Sequence, residues 1–327
     1  MQNAKPMPDS TSTPEESLAA SPPIGARLSL AALHRVLEAH RAWLERRPGG
    51  LRASLKGIVL PEAVLDNVNL ERADLKSANF IDAHMSGANL SGASLQFADL
   101  RNALLIDADL SQAEFVDANL ECALLGGANL SEARFLHTSM RGVNLRQAHL
   151  LEVSMDRCDF AGAILRDARL LQAKLFDCTF AEAEFEGANL YHSVFRCCKL
   201  PGISAAGSNW GTATLQNCEF RRADLTSARF DRADLRQSSF WRATLIGGSF
   251  QNTRLNSADL EGADLTGARL HDAATMSANF RGANLRAAQG LTQTQLAQAR
   301  TDRDTILPDG SHGPFLLGSG AHRPCRL

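Results

Sequence analysis

Large apolar residues occupy every fifth position from Leu55 to Leu285, and the register never slips. The run begins Leu55, Leu60, Leu65, Leu70, Leu75, Phe80, Met85, Leu90 and closes on Phe280 and Leu285. Of these 47 centres only Ala205 and Thr275 are not Leu, Phe, Met or Trp. Two residues before most centres stands a small residue, usually Ala, as in Ala73-Asp74-Leu75, Ala118-Asn119-Leu120 and Ala263-Asp264-Leu265. A period of five fits neither a helix, whose apolar stripe recurs at 3.6, nor a flat strand, which recurs at 2. A separation of two puts the small and the large position on one side of a short extended segment. The extra residue between units must form a bend. The pattern therefore predicts short extended sides joined by turns, with the small and large positions inward and the (D/N)-x-x positions facing water. Such a chain must coil, and its coils must stack to pair backbone groups and bury the inward side chains.

The number of sides per coil follows from a second spacing. Cys158, Cys178, Cys198 and Cys218 all occupy the small inward position, each 20 residues from the next. The outward residues Leu151, Leu171 and Tyr191 recur at the same interval. Recurrence in columns of 20 points to four units per coil. The A-(D/N)-L-x-x unit, held over about 70% of the chain, resembles that of the pentapeptide-repeat family. The resemblance implies an all-β solenoid, a right-handed quadrilateral (four-sided) parallel β-helix with short helical caps. About twelve coils at about 4.8 Å each would give a rod roughly 55 Å long. Its axis, filled by Leu and Phe, would leave no cavity for a substrate.

The ends break the pattern. Residues 1–25 are rich in Ser and Pro, mixed in charge and without the apolar stretch of a signal peptide, and read as a disordered leader. Residues 26–50 read as a capping helix. Within it Leu33, Val36, Leu37, His40, Trp43 and Leu44 follow helical spacing, Ser29 is placed to cap the start and Gly49-Gly50 to end it. The repeats fill 51–288, a helical cap with Leu296 inward spans 289–309, and the Gly/His/Arg-rich stretch 310–327 is expected to be flexible. His40, Trp43-Leu44 and Gly49-Gly50 resemble the lead-in of many bacterial pentapeptide-repeat proteins. Gly290-Leu291-Thr292-Gln293 and Asp304-Thr305 resemble their closing segment. The implied task of both is to cover open coil edges, which would otherwise recruit other strands. Between Pro201 and Gly211 the repeat weakens without losing register, which reads either as a tolerated irregular coil or as a protruding binding loop.

Composition narrows the function. With 44% hydrophobic and 21% charged residues and a net charge of -2, the chain has an ordinary soluble composition. No apolar run approaches the roughly 20 residues that span a bilayer. Seven Cys without a disulfide framework of spacings suggest a reducing compartment, so the expected localisation is cytoplasmic. The chain is read as a non-enzyme that takes no cofactor, no metal and no small-molecule substrate. Its many Asp residues belong to the repeat rather than to acid–base pairs. Its nine His are scattered, with none in a metal spacing such as H-E-x-x-H. Four thiols stacked about 4.8 Å apart lie within the separation that disulfides use. Yet a linear buried ladder lacks the tetrahedral shell that zinc takes, and Cys fits wherever Ala fits. Thr138 and Ser238 continue the column, so packing is preferred over chemistry. Cys122 and Cys197, facing outward, and Cys325 are the expected reactive thiols.

Two outer surfaces are candidate sites. The first is apolar and comprises Leu136, Leu151, Leu171, Phe176 and Tyr191, at positions the repeat normally makes polar. Leu151, Leu171 and Tyr191 would line one corner, and Val116, Leu136 and Phe176 the adjacent one. The second follows an uneven charge. Residues 55–150 hold 12 acidic and 7 basic side chains, whereas 195–300 hold 8 acidic and 13 basic. There Arg221, Arg222, Trp241, Arg242 and Arg281 would share one corner, either as a solvated face or as a salt-sensitive dock for an acidic group. The expected function is a scaffold for protein–protein interaction or self-association, with nucleic acid disfavoured as a partner. The resemblance also implies alternatives: a DNA-mimicking, topoisomerase-interacting protein of the quinolone-resistance type, or a secreted bacterial effector. DNA mimicry in that family uses a strongly acidic rod, usually a dimer, and this nearly neutral chain departs from it.

Overall fold

A computed structural model of the chain describes residues 25–324. The leader expected over 1–25 therefore falls almost wholly outside the described residues, as does Cys325. From Ser54 onward, each residue preceding a centre pairs in parallel with the one 20 positions later, from Ser54↔Asp74 and Val59↔Asn79 to Arg269↔Gln289. Four centres thus fall in every coil, and the molecule is a parallel β-solenoid with four sides.

On one side the extended segments lengthen into strands β1 (Glu114–Val116), β2 (Arg134–Leu136), β3 (Ser154–Asp156), β4 (Lys174–Phe176), β5 (Val194–Arg196) and β6 (Thr214–Gln216). These form one parallel sheet in chain order, with like positions aligned, as in Phe115↔Phe135 and Met155↔Leu175.

The bend that five-residue spacing demands is a repeated turn. The N–H three residues after a centre bonds that centre's carbonyl, as from Ala73 to Leu70 at 2.9 Å. The second outward residue takes the left-handed conformation, with φ of +50° to +62° even where it is not glycine. That conformation costs a non-glycine residue about 1–2 kcal/mol. Ladder bonds on both sides of the corner offset it, such as Arg72 N–H to Ser91 at 2.7 Å and Leu75 N–H to Ser94 at 2.9 Å. The Asp or Asn before the centre serves the same corner: Asn79 Oδ1 accepts the Ile81 N–H, and Asn89 Oδ1 the Ser91 N–H, both at 3.0 Å.

Inside, the large positions are buried, as are the small ones apart from half-buried Ala63 and Val68 in the first coil, and rings stack coil on coil. Phe115–Phe135, Phe160–Phe180 and Phe220–Phe240 have centroids 4.5, 4.7 and 4.9 Å apart. The weak stretch 201–211 stays in the stack through Ser204↔Asp224 and Asn209↔Arg229, so no loop protrudes. Its small centre, Ala205, is balanced by the next one. The Trp210 ring reaches Phe185, Phe195, Phe220 and Phe230 at 5.4–6.0 Å. Its Nε1–H donates to Ser208 Oγ at 2.7 Å, and that hydroxyl donates to the Ala205 carbonyl at 2.6 Å.

Helix α1 (Leu30–Leu44) starts where Ser29 Oγ accepts the Ala32 N–H at 3.2 Å. It is tied to the first coil by buried His40, whose Nδ1 accepts the Ala53 N–H at 3.0 Å. Helix α2 (Gln293–Gln298) opens with a capping box between Thr292 and Gln295, and buries Leu296. Thr275, the polar centre, is explained here, since its hydroxyl donates to the Gln295 carbonyl at 2.8 Å. Residues 310–324, expected to be flexible, carry contacts to the preceding segment. Gly313 N–H donates to Thr305 at 2.8 Å, Phe315 N–H to Thr301 Oγ1 at 3.0 Å, and Ala321 is buried. Among the described residues no helix is long and apolar enough to cross a membrane.

Candidate functional site

The turn that follows each centre presents two outward residues, and the 20-residue register stacks like corners into columns. One column follows the centres Leu150, Leu170 and Leu190 and carries Leu151, Leu171 and Tyr191. Ladder bonds from Glu152 N–H to Leu171 (3.0 Å) and from Gln172 N–H to Tyr191 (3.2 Å) hold these corners in contact. Leu151 is 43% and Tyr191 38% exposed, with Leu171 half-buried between them. Leu136 and Phe176 are half-buried at the next corner, and they do not touch as neighbours. The register places Asp156 between them, paired with Arg157 at 3.1 Å. The side between the two corners presents Arg134, Ser154, Lys174 and Val194. The five residues expected as one ridge thus lie in two columns, and only Leu151, Leu171 and Tyr191 are contiguous.

The column ends in a notch that the sequence reading missed. Its next member is Gly211, and a Cβ there would meet the Tyr191 ring at 3.1 Å. The Tyr191 ring packs against this glycine, and beside it lies a space of about 320 Å³ lined by Tyr191, Asn209, Gly211, Thr212, Arg229, Asp231 and Arg232. Thr212 is β-branched yet sits at φ +56°, a conformation such residues rarely take. Its Oγ1 donates to the Gly211 carbonyl at 2.6 Å and lies 2.9 Å from His192 Nδ1. The available signal was glycine at a position where the three preceding coils have Leu, Leu and Tyr.

The basic corner forms around one ring. The guanidinium carbons of Arg221, Arg222 and Arg242 lie 5.4, 5.4 and 4.5 Å from the Trp241 ring centroid. A shallow cleft beside the ring is lined by Ala181, Glu182, Pro201 and Gly202. Arg281 is in the same column but two coils beyond Trp241, with Glu261 between them, and stands apart from the cluster. Elsewhere arginines meet carboxylates, as in Arg101–Asp99 at 2.7 Å, Arg141–Asp159 at 2.8 Å and Arg236–Asp234 at 2.7 Å. Among the described residues no carboxylate pairs with Arg221, Arg222 or Arg242.

The thiol column lies inward at the corners that follow the strands. Cys158, Cys178, Cys198 and Cys218 are buried and free. Each donates weakly to backbone carbonyls, as Cys178 does to Phe176 at 3.3 Å and Cys198 to Leu175 at 3.5 Å. Thr138 Oγ1, in the same column, donates to Phe115 at 2.9 Å, so a thiol does what a hydroxyl does there. The Cys158 thiol is pushed up by its hydrogen bond with Cys178 and then by burial. In Cys178 the bond with Cys158 lowers the pKa, but the bond with Cys198 together with burial outweighs it, and the group is pushed up to about 12. The Cys158, Cys178 and Cys198 thiols are kept protonated and inert. Cys122 and Cys197 are exposed. Among the described residues no three His, Cys, Asp or Glu side chains are grouped to hold a metal ion.

Comparison with known proteins agrees with this architecture. A family model described as pentapeptide repeats (8 copies) matches overlapping stretches from 53–92 to 173–209, and one described as a pentapeptide repeat region matches 213–289. Among solved structures the chain is similar to HetL, a pentapeptide repeat protein involved in heterocyst differentiation regulation from the cyanobacterium Nostoc sp. Strain PCC 7120. Identity is 27%, coverage 88% of this chain and 100% of that one, and the TM-score 0.34. It is also similar to QnrB1, a plasmid-mediated fluoroquinolone resistance protein, at 15% identity, 75% and 89% coverage and a TM-score of 0.31. A third is Rfr23 from the cyanobacterium Cyanothece 51142, at 24% identity, 44% and 95% coverage and a TM-score of 0.19. No curated protein matches the chain.

Proposed function

Since the chain belongs to the pentapeptide-repeat family, with its axis filled by its own side chains, we propose that it is a non-catalytic scaffold that binds another protein, or a second copy of itself, through its outer surface. The observation that carries this reading is the apolar column and the notch at its end. The corner is polar in the coils before it, with Glu71, Ser91, Ser111 and Ser131, and polar again after it, with Asp231 and Gln251. Only four consecutive coils, at Leu151, Leu171, Tyr191 and Gly211, depart from this. Exposed Leu and Tyr add nothing to the buried axis. An apolar centre within a polar rim, with a rigid aromatic beside a hollow, is the anatomy of a protein contact. The buried free thiols support the cytoplasm as the working compartment.

The topoisomerase-directed alternative would need a continuous acidic rod, and 13 basic against 8 acidic residues over 195–300 count against it. The secreted-effector alternative rests on the leader, which lies outside the described residues. The test is a Leu151→Ser/Tyr191→Ser variant. Its thermal midpoint should stay near that of the parent, while self-association in sedimentation velocity, or capture of a partner by the immobilised protein, should be lost. Unchanged sedimentation and capture would make the column ordinary surface.

A further inference from the structure

We propose that the corner formed by Arg221, Arg222, Trp241 and Arg242 is a docking site for an acidic segment of a partner protein, bound through its Asp and Glu carboxylates. Arg221 and Arg222 fill both outward positions of one corner, and Trp241 and Arg242 fill the same two positions one coil on. Coil stacking, held here by Arg222 N–H to the Trp241 carbonyl at 3.0 Å, brings the three guanidiniums onto one indole. The ring's negative face attracts each cation. It does not cancel the repulsion among them, and no carboxylate of the described residues pairs with any of the three. The cluster stands in the basic half of the rod, so its positive potential is reinforced and not neutralised. Guanidinium forks match carboxylates two bonds at a time. Beside the ring, Ala181, Pro201 and Gly202 contribute little side-chain bulk, which leaves a cleft where a peptide backbone can lie; Glu182, two coils from Arg222, is the one acidic residue of its lining against two arginines.

The same geometry favours an acidic peptide over a nucleic acid. Nucleic-acid affinity grows with a track of successive phosphate contacts. In this column the basic cluster is bounded by Glu182 on one side and Glu261 on the other, so it serves a few anionic groups and no more. Base stacking needs an open aromatic face, and here guanidiniums already lie over the ring. A short segment with two or three carboxylates fits a cluster that spans adjacent coils.

Calorimetric titration with a hexaglutamate peptide tests the proposal on the full chain, with hexalysine and a hexathymidylate oligonucleotide as the other probes. Hexaglutamate should bind in low salt and at least tenfold more weakly in 0.5 M salt, and any hexalysine binding, directed to the acidic half, should be no weaker in a variant without the three arginines. The Arg221→Gln/Arg222→Gln/Arg242→Gln variant, folded by circular dichroism, should bind hexaglutamate at least tenfold more weakly. Arg254→Gln and Arg269→Gln, which remove arginines outside the cluster, should change it less than twofold. The Leu151→Ser/Tyr191→Ser variant should keep full affinity, which separates this test from that of the apolar column. No binding by the parent, equal binding by the triple variant, or tighter binding of the oligonucleotide than of the peptide would overturn the proposal.

Discussion

Between Leu55 and Leu110 the axis of the rod is filled almost wholly by leucine, interrupted only by Phe80 and Met85. Between Phe180 and Phe250 it holds seven Phe and Trp210. Both regions keep the same 20-residue register. The common elements are the small inward position, the left-handed corner and the ladder of backbone bonds, so these set the register and the axis side chains follow it. In the aromatic region the filling is more specific. Rings stack with their own kind at 4.7–5.2 Å, close to the coil spacing, and Trp210 takes the room that Ala205 leaves. The aliphatic region fills by bulk alone, and its buried polar group, His40, sits at the cap.

The largest expected effect sharpens that contrast at its extreme. Trp210→Ala would place two small centres in succession and remove the ring that touches four others. The expected loss is about 5 kcal/mol, the upper end for an aromatic truncation, read from urea unfolding. Phe180→Ala should cost about 3–5 kcal/mol and Leu90→Ala about 2–4 kcal/mol. Equal losses at all three would mean that ring stacking adds nothing to bulk.

Next in size are opposite responses to pH. Burial lowers the His40 pKa below its ordinary 6.5, against the raising influence of the Glu71 carbonyl. The stability tied to His40 is therefore present above pH 6.5 and lost as pH falls through the depressed value. Hydrogen-exchange protection factors over α1 and the first coil should fall at pH 5, and His40→Phe should flatten that response. Cys178 works in the other direction. Its pKa rises from 9.0 to about 12, so its contribution is intact below pH 9 and lost as pH rises toward the folded value. The urea midpoint should drop between pH 8 and pH 10.5, less so in Cys178→Ala. Acid weakening of the central coils, or alkaline weakening confined to the cap, would break the comparison.

The smallest effects belong to the surface of both regions. Arg166→Ala removes partly exposed pairs with Glu184 at 2.7 Å and Glu186 at 3.4 Å, and should cost at most about 1 kcal/mol. Arg254→Ala, at an exposed arginine outside any ion pair, should stay within about 0.5 kcal/mol.

Most of this architecture is legible in the sequence because the inward positions carry it, and burial permits few alternatives there. The period gives the inward faces, the 20-residue recurrence of Cys158 to Cys218 gives the number of sides, and Ser29 marks the start of the first cap. The outer surface is legible in part. The Arg221, Arg222, Trp241 and Arg242 cluster follows from position alone. The separation of Leu136 from Phe176 was equally available, since Asp156 stands 20 residues from each. The conformation of the corners was not. Residues as different as Phe97, Arg72 and Thr212 occupy the left-handed position at φ +56° to +59°, because stacked coils impose it whatever the side chain prefers.

The register also gives every outward residue an angular address. Each unit of five turns the chain by a quarter, so direction is read from the residue number modulo 20. Tyr191 and Arg221 are 30 residues apart, one coil and a half, and therefore point to opposite sides of the rod about 7 Å apart along its axis. Two partners bound at these corners would face away from each other and would not compete for space. Adding 20 residues between the two corners would lengthen the rod and keep Tyr191 and Arg221 opposed, whereas adding ten would swing them to the same side. The length of chain between two corners is thus a compass setting that evolution or design can change in quarter turns.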